Sequence, residues 1–286
     1  MRILVLLLFS QFFVVAQTNT EVYLFDIVVE GDQLELANQR NISNNDGYDN
    51  QPSFYNDNQV LFASTRNQQT DIVSYNVRDA KVTWINDTGF GSEYSPTKIP
   101  NQKAISAIRL DTTGLQRLYQ YDFETGKNKE LIKDLVIGYH TWYTNDILVS
   151  AVLADGGLDL VVSNLKDGTN YTQQKKIGRS LHKIPNSDLI SYISKENDIW
   201  EIKSIHPITG TTATIIETIP EADDMCWLLN GTILMPKGNT IYAYNPKKDT
   251  TWRVFRIFKD ANLSNITRIA TNSTSSLLSL VSDTAL

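Results

Sequence analysis

The sequence predicts an all-β fold, a six-bladed propeller of four-stranded antiparallel blades, and three observations carry that prediction. Past residue 16 no window keeps a helical period for a dozen residues; short runs rich in Val, Ile, Tyr and Trp alternate with turns of Gly, Asn, Asp and Thr instead. Six such runs recur at a near-constant interval. Anchored on Val22, Ile72, Leu118, Leu160, Ile199 and Ile241, they are spaced by 50, 46, 42, 39 and 42 residues, the period of a propeller blade. Finally, each end of the chain holds only half of the repeating unit.

The leader comes first in chain order. MRILVLLLFSQFFVVA carries one early charge, Arg2, an apolar run broken by Ser10 and Gln11, and the small residue Ala16. This pattern predicts a secretory signal peptide over 1–16, cleaved after Ala16, and it falls short of the roughly 20 apolar residues that span a bilayer. Residues 17–286 are then expected to form a single exported domain, periplasmic or secreted, with no membrane span after cleavage. One cysteine, Cys226, cannot form an intramolecular disulfide, so stability has to come from a packed core. With 26 basic against 32 acidic residues, a net charge of −6 and no basic run, nucleic acid is excluded as a partner.

The blades follow. The stretches EVYLFDIVVEGDQLEL (from Glu21), DIVSYNVRDAKVTWI (from Asp71), RLYQYDFETGKNKELI (from Arg117), DLVVSNLKDGTNYTQ (from Asp159), DIWEIKSIHPITGTTATI (from Asp198) and TIYAYNPKKDTTWRVF (from Thr240) are each a strand, a polar turn and a second strand. Upstream of the last five lie QVLFAS, KAISAI, DILVSAV, DLISYI and GTILMP, and before those QPSF, SPTKI, HTWY, HKIP and MCWL, the candidate innermost strands. Four strands therefore recur in order. The first copy has none before it, and LSNITRIATNSTSSLLSLVSD at the other end has two strands with none after it. Pairing the two ends in one sheet completes the sixth blade and removes two exposed edges.

QPSFYNDNQVLFASTRNQQTDIVSYN, residues 51–76, resembles the repeat of TolB-like, WD40-like (PD40) propellers: proline, serine, an aromatic, a polar turn, an apolar strand, a Ser-bearing turn, then Asp-Ile and an aromatic strand. Later copies keep the hydrophobic pattern and lose the turn. The resemblance implies the propeller fold and, with the short leader, a bacterial envelope.

Motifs for chemistry are sparse. Gly-x-Ser-x-Gly, His-Glu-x-x-His and Cys-x-x-Cys do not occur, and there are three histidines. In a propeller, the loops entering the innermost strands share one face with the turns between second and third strands, and a site would be built there. Those loops hold Asp46, Tyr48 and Asp49, then Glu93 and Tyr94, Tyr139 and His140, Arg179 and His182, and Asp223 and Asp224. His140 and His182 occupy matching positions and read as hydrogen-bonded channel residues or as ligands. Asp223 and Asp224 read as solvated turn formers or as oxygen donors to a hard cation. No cofactor is predicted, with calcium the candidate if one binds. Trp142 and Trp227 align with Phe54 and read as packing between blades; Cys226 reads as a small buried hydrophobe. The expected function is a binding scaffold for a protein or peptide partner in the cell envelope, acting as a monomer. The alternative is a lactonase-like or glycan-processing enzyme with a channel cation activating water.

Overall fold

The computed structural model describes residues 19–30 and 33–283 as strands, turns and a single one-turn 3-10 helix, Ala261–Leu263. The expected signal peptide lies outside the described residues. Among them no helix is long and apolar enough to cross a membrane.

The chain opens with β1 (Thr20–Glu30) and β2 (Gln33–Asn41). Sheet I follows as β3 (Asn50–Asn56), β4 (Gln59–Arg66), β5 (Gln69–Asn76) and β6 (Lys81–Trp84), and sheet II as β7 (Gly91–Lys98), β8 (Ala104–Asp111), β9 (Gln116–Asp122) and β10 (Asn128–Ile132). Each is a four-stranded antiparallel meander, as the repeat predicts. Asn67 and Gln68 close the β4–β5 hairpin with φ of 50° and 67°, the left-handed pair of a two-residue type I′ turn.

Sheet III departs from the simple repeat. It has seven strands: β11 (Ile137–Trp142), β12 (Ile147–Ala154), β13 (Gly157–Asn164), β14 (Thr169–Lys183), β15 (Ile190–Ser194), β16 (Glu201–Ile205) and β17 (Thr212–Glu217). The 15-residue β14 pairs with β13 through its first half and with β15 through its second. It is the fourth strand of one repeat and the first of the next, with no proline between Thr169 and Lys183 to break it. Sheet IV is β18 (Cys226–Trp227), β19 (Ile233–Lys237), β20 (Thr240–Tyr244) and β21 (Arg253–Ile257). Sheet V joins the ends: β22 (Ile266–Thr271) and β23 (Leu277–Asp283) extend β1 and β2 in the order β2-β1-β23-β22. Thr20 faces Asp283 and Asp26 faces Leu277 across the join.

Burial grades across each sheet. The middle strands β4 and β5 are buried almost throughout, Leu61, Phe62 and Ile72 among them, whereas the outermost β6, β17 and β21 are mostly exposed. Middle strands are covered on both faces, so their alternation gives way to continuous apolar runs, each large side chain stabilising by roughly 1.5–3 kcal/mol. Six apolar clusters do the covering. They join sheet I to II (Leu61, Ile72, Tyr121), II to the first half of III (Leu118, Trp142), the halves of III (Leu160, Tyr192), III to IV (Ile202, Trp227, Met235), IV to V (Leu234, Phe258, Leu280) and V back to I (Val22, Phe62, Val281).

Candidate functional site

The strand that opens a repeat starts irregularly in five cases. Register shifts interrupt the pairing of β3 between Asn50 and Ser53, β7 between Tyr94 and Thr97, β11 between Ile137 and Tyr139, β14 between Ile177 and Leu181, and β22 between Ile266 and Arg268. Gln51 and Ser95 take φ of 56° and 52° there, and the Ser95 backbone N–H donates to Gln51 Oε1 at 2.7 Å. Bulges of this kind re-aim side chains and gather at functional sites.

These strands, with β18, surround one cavity of about 490 Å³. Its charged lining is Arg179, Lys183 and Arg268 against Asp224 alone, an excess of positive charge inside an acidic protein. At the end where the strands begin, Arg179 donates Nε to Asp224 Oδ2 at 2.8 Å and Nη2 to the Thr267 carbonyl at 2.9 Å. Arg268 reaches the same two acceptors through Nη1, at 3.4 and 2.8 Å, and its guanidinium lies 5.9 Å from the Tyr139 ring centre. A three-residue clasp thus ties sheets III, IV and V across the mouth. Tyr48 borders the clasp; burial pushes its hydroxyl up to about 12, with Arg268 pulling the other way. Its ring meets Tyr94 edge-on at 5.9 Å.

Midway along the cavity sit the histidines. His140 Nε2 is 2.7 Å from Ser106 Oγ, which also accepts the Trp142 indole N–H at 2.8 Å. His182 Nε2 is 3.0 Å from Ser180 Oγ, while the Trp227 indole donates to Ser191 Oγ at 2.8 Å. In both repeats a tryptophan on a cavity strand is clipped to a serine 36 residues earlier, on the second strand of the preceding repeat. Burial drives His140 down to about 3 and His182 down to about 4, so both rings are neutral.

The remaining residues singled out in the sequence lie elsewhere. Asp46 is exposed on its loop. Asp49 is fully buried, accepts from Asn45 Nδ2 at 3.2 Å, and is pushed up to about 7 by burial. Glu93, also fully buried, accepts from Asn86 Nδ2 and Tyr121 Oη, both at 2.8 Å, and burial again raises it to about 7. Asp223 turns from the cavity to Lys195 Nζ at 2.7 Å. The Asp223-Asp224 pair therefore splits, Asp223 to Lys195 and Asp224 to the two arginines, and among the described residues no three His, Cys, Asp or Glu side chains converge as metal ligands. Ser106, Ser191, Thr267 and Arg268 escaped the sequence reading. The recurring Ser-to-Trp interval of 36 was a usable signal for the serines; Arg268 sits in the C-terminal half repeat, where no second copy marks it.

Gly178 leaves open the space that the Asp223 carboxylate occupies. A Cβ there would lie 2.2 Å from Asp223 Oδ1 and 3.2 Å from Ile193 Cβ, so Gly178→Ala should destabilise by about 1–3 kcal/mol. In a double-mutant cycle read by thermal melting, Asp223→Ala should relieve most of that loss; purely additive losses would refute the clash.

On the same face as the clasp, next to sheets II and III, stand exposed Phe90, Leu110, Leu115, Val136 and Leu153, Phe90 at 79%. Their loops are tied together: the Thr112 N–H donates to the Phe90 carbonyl at 3.0 Å, Gln116 Nε2 to the Ile137 carbonyl at 2.7 Å, and the Leu153 N–H to the Val136 carbonyl at 2.8 Å.

No protein-family model and no curated protein sequence matches the chain. Solved structures do. A protein assigned as TolB from Agrobacterium tumefaciens is similar with a TM-score of 0.70 at 10% identity, over 94% of this chain and 100% of that one. TolB from Acinetobacter baumannii aligns at 0.56 and 11% identity over 93% of this chain and 64% of its own. An oligogalacturonate lyase from Vibrio parahaemolyticus aligns at 0.55 and 10% identity over 93% and 98%. Together with the stacked four-stranded antiparallel sheets, these likenesses give the chain a TolB-like β-propeller fold.

Proposed function

We propose that residues 17–286 form one six-bladed propeller, exported to the periplasm or cell exterior, that binds a protein or peptide partner at the face where the inner strands begin. Six apolar interfaces running from sheet I round to sheet V and back support the blade count, with β14 shared by two blades. One observation carries the binding reading: Tyr139, Arg179 and Arg268 at the cavity mouth and the Phe90 rim share a single face. Aromatic residues and arginine dominate binding energy at protein interfaces, and apolar side chains grouped on one exposed face mark contact surfaces. The unit acts as a monomer, its propeller edges being sealed by sheet V.

The test is a pair of charge insertions. Phe90→Asp should weaken capture of the envelope partner, read by quantitative co-purification and then by titration of the identified partner, about tenfold or more. Val254→Asp, at a comparably exposed position on outer strand β21, should leave capture unchanged. Equal effects of the two would sink the assignment of this face.

A further inference from the structure

We infer that the partner segment seated at the mouth presents a carboxylate, as an acidic peptide segment whose side-chain or terminal carboxylate is gripped by Arg268 and Arg179 in the place now held by Asp224. The inference rests on the binding reading above and adds the chemistry of what is bound.

Donors exceed acceptors at the clasp. Each guanidinium carries five N–H donors in a planar fork suited to a carboxylate, yet the two share only Asp224 Oδ2 and the Thr267 carbonyl. One carboxylate stands against two cations, with Lys183 a third along the same wall. Because both histidines stay neutral, nothing in the lining reverses that sign as the pH changes near neutrality. A positive cavity in a chain of net charge −6 attracts anions and repels further cations. Polar atoms in the lining also lack protein partners: Ser95 Oγ and His140 Nδ1 are buried without one, as is Thr267 Oγ1 behind the clasp. Asp224 thus serves as an internal stand-in, keeping the arginines extended across the mouth. The aliphatic and aromatic rim beside it, Phe90 with Leu115 and Leu153, suits the apolar side chains of a peptide better than the hydroxyls of an acidic sugar.

The experiment selects binders to the mature chain from a synthetic random dodecapeptide library, then measures each selected peptide and its carboxamide twin (Asp→Asn, Glu→Gln, amidated C-terminus) by fluorescence anisotropy. Expected are peptides whose carboxamide twins bind at least tenfold more weakly, whose affinity falls with salt, and whose binding drops comparably in Arg268→Gln. Arg268→Lys, which keeps the charge but loses the fork, should lie between. Asp224→Asn should bind these peptides several-fold more tightly, because it removes the competing carboxylate; a merely structural clasp predicts weaker binding. Peptides that compete at the Phe90 face but ignore amidation and Arg268→Gln would overturn the carboxylate inference and leave the binding reading standing. Binders insensitive to both Phe90→Asp and Arg268→Gln, or no binders at all, would overturn both. Trigalacturonate binding at the mouth more tightly than any peptide would overturn the peptide occupant.

Discussion

A chain ended at Ser275 should not fold. It lacks only β23, yet this strand lies inside sheet V between β1 and β22. Leu278, Leu280 and Val281 are wholly buried there and Leu277 nearly so. Burying four such side chains stabilises by roughly 6–12 kcal/mol, comparable with the roughly 5–15 kcal/mol that separates folded from unfolded states in whole domains. The truncation also exposes β1, whose ladder to β23 runs from Thr20 to Asp26, as an unpaired apolar edge. The expected outcome is insoluble protein or a chain without a cooperative thermal transition. A synthetic peptide spanning residues 276–286, supplied during refolding, should restore part of the soluble fraction. A truncated protein that melts like the full chain would show that the ends do not hold the fold together.

The second large effect concerns pH, where two pairs of buried groups oppose each other. Asp49 and Glu93 are raised to about 7 in the folded chain and have ordinary values near 4 when unfolded. Between about pH 4.5 and 7 the folded state therefore binds protons that the unfolded state does not, and stability falls as pH rises through that window. His140 and His182, lowered to about 3 and 4 from an unfolded value near 6.5, act in the opposite sense. Below about pH 6.5 the unfolded state takes up the protons, and stability falls as pH drops. Each group contributes a slope of about 1.4 kcal/mol per pH unit, so two against two nearly cancel from about pH 4.5 to 6.5.

The melting temperature should accordingly be flat across that interval and decline from about pH 4.5 to 3, where the carboxyls no longer oppose the histidines. Glu93→Gln should unmask the histidines. A glutamine can still accept from Asn86 while donating to the Tyr121 oxygen, so the packing survives. The variant should melt higher than the wild type at pH 7.5, by on the order of 2–3 kcal/mol, and lose that advantage as the pH approaches 5. Melting curves of the two proteins that stay parallel from pH 5 to 7.5 would contradict the assignment.

Much of the architecture was legible because a blade repeats its hydrophobic pattern. The anchors Ile72, Leu118, Leu160 and Ile241 are all fully buried, and the half repeats at Glu21 and Leu263 meet in one sheet as their incompleteness implies. The anchor Ile199 is the exception: it is exposed in the turn before β16, and Ile202 takes the core position instead. The site was less legible. Glu93 and Asp49 look like loop acids in one dimension, and only tertiary covering turns them into buried carboxyls. The clasp joins residues 179, 224 and 268, whose spacing follows from the curvature of the sheets and from no local periodicity. Asn86 spends its amide on Asp71 and Glu93 and is 7% exposed.

The long strand β14 has a mechanical consequence. Neighbouring propeller blades usually meet through a loop and side-chain packing, a joint that can flex without breaking backbone hydrogen bonds. Here the two halves of sheet III share a continuous ladder from β11 to β17, so prising them apart means rupturing main-chain bonds. Any widening of the cavity by thermal breathing must be taken up at the other joints. Amide exchange should register this as a stiff arc, protected as one cooperative block, with opening concentrated at the joints bridged by side-chain packing alone.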